Sequence, residues 1–136
     1  MNTKRLALAT MLWLGASASM AQTVTDPVAQ VRALSSAGVD ANLAAMAQQV
    51  TLTAPIRTDD VTTIERAVYL PQYKTFNYVV RLSQSIPSQT LASNTVAAIC
   101  RGRTNVAFMD RGVTYQYSVT TPSETFAISI KRADCR

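Results

Sequence analysis

No histidine occurs in the 136 residues. Its absence removes the commonest general base and metal ligand near neutral pH, and with it the Ser-His-Asp and Cys-His arrangements of nucleophilic catalysis. Two cysteines cannot build a four-cysteine zinc site, and the eight acidic residues are scattered, with Asp59-Asp60 lacking the spacing of a calcium loop. No serine stands in a Gly-x-Ser-x-Gly elbow or a Ser-x-x-Lys motif. The composition therefore predicts no catalytic residue, no metal and no cofactor. The four glycines form no linker, and no internal repeat or low-complexity tract marks a second domain. A single long apolar run, Leu6 to Leu14, is too short to cross a bilayer.

That run belongs to a secretory leader. Lys4 and Arg5 supply a positive start, and Ser19-Met20-Ala21 is a small-x-small cleavage site. Residues 1–21 read as a signal peptide. The next residue is Gln22 rather than cysteine, so the layout predicts a soluble periplasmic or secreted protein and not a lipoprotein. Cleavage removes the only tryptophan, Trp13, together with Lys4 and Arg5. Eleven of the 13 cations then face eight acids, a mild positive excess.

Residues 22–60 read as an alanine-rich helical arm and connector. Asp26-Pro27 is a good helix start, because aspartate caps free N–H groups and proline fits the first turn. Val28, Val31 and Leu34 recur at helical spacing before Ser35-Ser36-Ala37-Gly38 interrupts them. Asp40 is the expected cap of a second helix, with Leu43, Met46, Ala47 and Val50 along one stripe. Docking of this arm on its own domain is favoured over docking on a partner. Thr51 to Asp60 reads as a connector.

Residues 61–136 read as the α+β domain proper. Between Val61 and Leu70, the residues Ile64, Val68 and Leu70 share one parity. Phe76, Tyr78, Val80 and Leu82 alternate with polar neighbours, as a half-buried strand requires. A helix is expected over Gln89 to Cys100, capped by Ser88, with a further helical turn after Thr104 that Gly112 ends. Val113 to Val119 and Phe126 to Ile130 give two more strands, joined by a turn at Thr121-Pro122-Ser123-Glu124. The order predicts ββαββ, an antiparallel sheet with a helix on one face.

Cys100 and Cys135 are the only cysteines, and both lie in the exported part. A structural disulfide is the expected state of such a pair in an oxidising compartment. A redox role lacks a Cys-x-x-Cys motif, and Cys100 falls at a helix C-terminus, where the dipole does not favour a thiolate. Around this pair the cations thicken. Arg101, Arg103, Arg111, Lys131 and Arg132, with Tyr73 in a turn, form the candidate binding face. Nucleic acid is excluded as a partner, because Tyr115 and Tyr117 share the parity of core residues and leave no stacking platform. An anionic membrane surface is a weaker reading that no residue pattern singles out.

The tract formed by Cys100, Arg111-Gly112-Val113-Thr114-Tyr115-Gln116-Tyr117, Ile128-Ser129-Ile130 and Asp134-Cys135, with Tyr78-Val79-Val80 upstream, resembles a family of small exported proteins. The family is named for a quorum-sensing-regulated virulence factor of Pseudomonas. The resemblance covers about the last 60 residues. It implies an exported α/β protein, of a family without an assigned enzymatic activity, with an interaction role, and it transfers no catalytic residue. The sequence thus predicts a non-enzymatic binding or accessory protein of the cell envelope or a virulence pathway, with another protein as partner. A periplasmic inhibitor or immunity protein against a toxic hydrolase is the alternative. A histidine-free serine hydrolase is the third.

Overall fold

A computed structural model describes residues 26–136; the leader and the cleavage point before Gln22 lie outside the described residues. Two helices, α1 (Pro27–Ala33) and α2 (Ser36–Thr53), lead into a short strand β1 (Ile56–Arg57) and a long one, β2 (Thr62–Leu70). A 3-10 turn (Pro71–Tyr73) feeds β3 (Thr75–Leu82), and two helices follow, α3 (Ser88–Arg101) and α4 (Arg103–Asp110). The hairpin of β4 (Thr114–Thr120) and β5 (Thr125–Ile130) and a second 3-10 turn (Arg132–Asp134) complete the chain. The α+β class and the Cys100–Cys135 disulfide match the expectation.

The sheet runs β1-β2-β3-β4-β5 and is mixed, not wholly antiparallel. Three pairings are antiparallel, but β3 and β4 are parallel, with Phe76 beside Tyr115 and Val80 beside Val119. The cause lies in the connection. α3 and α4 together carry the chain back to the end where β3 began, so β4 sets off in the same direction. Thr114 N–H on Lys74 O at 2.9 Å closes that return. Gly112 makes the final bend with φ of +87°, where an L side chain is strained.

β2 departs from simple alternation. Its register against β3 slips between Ile64 and Arg66, placing a bulge at Glu65. Everything after the bulge changes face. Ala67 (5% exposed) and Tyr69 point into the core, whereas Val68, expected there with Leu70, is 38% exposed. One residue of slip accounts for the difference.

The two N-terminal helices share the core of the sheet: Val28, Val31, Val39, Leu43 and Ala47 are buried in one cluster with Phe76, Tyr115 and Ile130. Asp26 caps α1 as expected, its carboxylate accepting from Val28 N–H at 3.2 Å. For α2 the cap is Ser35, which accepts from Gly38 N–H at 3.0 Å. Asp40, expected to cap, lies within the helix and is free to reach the sheet. There it accepts from the Tyr69 hydroxyl at 2.6 Å and pairs with Lys74 Nζ at 3.1 Å. The connector also holds more structure than expected: α2 runs on to Thr53, and β1 pairs Ile56 with Ile64. Past β1, α2 takes over the edge of β2. Thr51 Oγ1 donates to Ala67 O at 2.9 Å and accepts from Ala67 N–H at 3.1 Å. All helix packing falls on the Phe76–Tyr115 face; the other face presents Asn77, Gln116, Ser118 and Ser129.

Candidate binding surfaces

Helix α3 lies over the sheet but is poorly sunk into it. Ile99 is its one buried residue. Its sheet-facing stripe is rich in small side chains, Ala92, Thr95 and Ala98 among them, which cannot fill the space above large neighbours. Leu91, Ala92 and Val96 pack half-buried against the core beside Ile99, and two ties flank the helix: just before it, Ser85 and Ser123 hydroxyls meet at 2.7 Å, and at its end Cys100 is bonded to Cys135.

Between α3 and the sheet a cleft of about 370 Å³ remains open. Ile64, Val80, Leu82, Tyr117 and Val119 make its floor, and Leu91 and Ala98 its wall. Tyr117 is stacked on Tyr78, with ring centroids 5.0 Å apart. Burial pushes both hydroxyls up from their ordinary pKa, so they stay neutral. At the mouth, Asp59 accepts from Val61 N–H and Thr62 N–H, each at 2.8 Å. The Val61 bond above all holds its carboxyl below the usual carboxylate range. An apolar interior with a fixed acid and the polar Asn94 and Thr95 at its rim suits apolar side chains brought by a partner. Sequence reading missed this cleft. Its one signal was the run of small residues on the inner side of α3.

Of the five cations singled out in the sequence, Arg111 and Arg132 are engaged within the chain and, among the described residues, three are not. The registers bring the Pro71–Tyr73 turn, Arg111 before β4 and Lys131 after β5 to one end of the sheet. The disulfide, with Cα atoms 5.3 Å apart, adds Arg101 to that end, and Arg103 follows at the start of α4. Arg111 is spent internally: its guanidinium donates to Val31 O at 2.9 Å and Arg32 O at 3.3 Å, tying down the C-terminus of α1. Arg132 pairs with Asp110 at 2.8 Å and donates to Cys135 O at 2.7 Å. Arg101, Arg103 and Lys131 are exposed and join no ion pair among the described residues. Tyr73 is 71% exposed on its turn.

Among the described residues no three His, Cys, Asp or Glu side chains gather closely enough to hold a metal ion, and no helix is long and apolar enough to cross a membrane.

No protein-family model matches the chain, and no curated protein matches it by sequence. Solved structures do match in fold. The pilotin EpsS of the Vibrio vulnificus type 2 secretion system is similar over 72% of this chain and 92% of its own, with a TM-score of 0.63 and 15% identity. The type II secretion system pilotin AspS from Vibrio cholerae is similar over 71% of this chain and 92% of its own, with a TM-score of 0.60 and 13% identity. A candidate secreted protein from Pseudomonas aeruginosa is similar over 72% of this chain and 96% of its own, with a TM-score of 0.56 and 13% identity. At these identities the likeness is one of fold.

Proposed function

We propose that this chain is a non-enzymatic accessory protein of a bacterial secretion pathway, acting in the envelope or outside the cell by binding another protein. The observation that carries the reading is the cleft under α3, with an apolar floor and a polar rim. Two of the structures that share the fold are pilotins of type II secretion systems, which supports a role beside an export machine. The fold shared with the candidate secreted Pseudomonas aeruginosa protein supports an exported role, and the resemblance to the quorum-sensing-regulated family stays part of this proposal on its sequence tract alone. Processing after Ala21, with the disulfide closing after export, completes it. In this reading Arg101, Arg103, Lys131 and Tyr73 steer the partner, while the cleft provides affinity.

The test is capture from an envelope extract with the mature protein as bait, beside a Leu91→Glu variant. Leu91 is half-buried on the cleft wall, so a carboxylate there desolvates badly against an apolar partner while costing the fold little. Wild type should retain a partner at a salt wash that strips the variant, with both proteins melting within a few degrees of each other. Equal retention by the two, or none by either, refutes the proposal.

A further inference from the structure

The two edges of the sheet are treated differently. An edge strand offers a row of unpaired N–H and C=O groups that natural folds usually blunt with charge, proline, a bulge or a cover. On the β1–β2 side two stretches of β2 are covered, Thr63 and Ile64 by β1 and Ala67 by the paired bonds from Thr51. β5, the other edge, has none of these devices. Thr125 to Ile130 contains no charge and no proline, and its register against β4 is unbroken.

Which groups stand open follows from the hairpin. Thr121 N–H donates to Glu124 O at 2.8 Å, which makes that pair hydrogen-bonded. Antiparallel pairs alternate, so Phe126, Ile128 and Ile130 turn their backbone groups toward β4. Thr125, Ala127 and Ser129 turn theirs outward, and all three residues are exposed. Lys131 fits the alternation: its outward N–H is taken by Asp134 Oδ2 at 2.8 Å, which ends the open row.

Beside this row runs a second groove, on the opposite flank of α3 from the cleft. α3 and β5 lie side by side, joined at one end by Ser85 and Ser123 and at the other by the disulfide. Between these ties Ala92 and Val96 face Phe126 and Ile128 across an opening of about 390 Å³. Charge is uneven along it. The end beyond Ile130 carries Lys131 and, through the disulfide, Arg101, neither in an ion pair among the described residues; Asp134 also lines this end, with its carboxylate accepting from Lys131 N–H at 2.8 Å, so cations outnumber acids there by two to one.

We propose that β5 is a strand-addition site: it takes an extended segment of a partner protein, with apolar side chains lying toward α3 and carboxylates at the end that reaches Lys131 and Arg101. The main-chain ladder supplies affinity, and the groove reads alternate side chains. Six residues of such a segment span about 20 Å, enough to use the whole row. The site does not depend on the cleft, because it uses the other flank of α3 and a different chemistry.

The test is amide exchange on the full mature protein with a labelled peptide of alternating threonine and valine, flanked at both ends by glutamate. Saturation should slow exchange at Thr125, Ala127 and Ser129 at least tenfold and leave Phe126 and Ile128 unchanged. A lysine-flanked twin should bind at least tenfold more weakly at low salt. Ala127→Pro removes an outward donor without touching a bond to β4, a place where edge strands tolerate proline; it should abolish peptide binding, whereas Leu91→Glu should not. Absence of slowing at those three amides in the wild-type protein overturns the proposal, and so does equal binding of the twins. Sedimentation showing a peptide-free dimer that Ala127→Pro converts to monomer also overturns it, assigning the edge to a second copy of the chain.

Discussion

Replacing both cysteines by serine should cost this domain about 4 kcal/mol. The bond closes a loop with a sequence separation of 35. In the chain-entropy model such a loop removes about 13 cal/mol/K from the unfolded ensemble, or ~3.8 kcal/mol at 25 °C. Against a typical total of about 5–15 kcal/mol, that is a large share. The loss acts chiefly through the unfolded chain, since Cys100 and Cys135 are only partly buried and their removal opens little core. Urea titration of the wild type and of the Cys100→Ser, Cys135→Ser double variant gives the difference directly. The midpoint should fall, and the slope should rise, because the freed unfolded chain exposes more surface. Reduction of the wild type should reproduce the shift without any substitution. A loss below about 1 kcal/mol in both experiments would falsify the loop-closure account and place the stability of the domain in its packing alone.

Two further outcomes follow from particular bonds. Thr51→Val keeps the shape of the side chain but leaves the outward N–H and C=O of Ala67 without their partner, so stability should drop by about 1–3 kcal/mol and Ala67 should exchange faster; unchanged exchange there would mean that α2 does not guard the edge. Asp40 is held below the usual carboxylate range, first by the Tyr69 hydroxyl and then by Lys74. A depressed folded pKa contributes stability that is present above the unfolded value near 4 and lost as pH falls through the folded value. Asp40→Asn should therefore be less stable at neutral pH and should flatten the acid limb of the stability curve. Parallel acid limbs for the two proteins would show that the carboxylate is not linked to folding.

Periodicity made most of the second half of the chain legible. β3, β4 and β5 alternate cleanly because each has one face in the core and one in water, so Phe76, Tyr115 and Ile130 identify themselves. β2 misled for a local reason: the bulge at Glu65 inverts parity, and nothing in Thr62–Leu70 marks a bulge ahead of its pairing partner. Strand direction was hidden as well. A helical tract between strands is compatible with either sense until its length shows that it carries the chain back, which α3 and α4 do together. Of the candidate face, the disulfide was legible from cysteine count and address. The fates of Arg111 and Arg132 were not, since pairing with Val31 O or Asp110 depends on tertiary placement. Asp40 shows the same limit. Its sequence neighbours suit a cap, yet Ser35 lies earlier and leaves the carboxylate to the sheet.

The cleft and the strand edge were both invisible to pattern reading for one physical reason: each is a place where packing stops. A helix tied at its two ends and lined with small side chains neither sinks into the sheet nor leaves it, and so opens space on both flanks. Filling that space with larger residues on α3 would gain burial at about 25 cal/mol per Å² of apolar area, so retaining small ones forgoes stability. The disulfide then has a second consequence besides entropy. It offsets what the loosely seated α3 does not contribute through contacts, allowing apolar floor and open backbone to persist in a folded chain. With the bond reduced, α3 keeps the burial of Ile99 and the Ser85–Ser123 contact but loses its covalent link to the chain beyond β5.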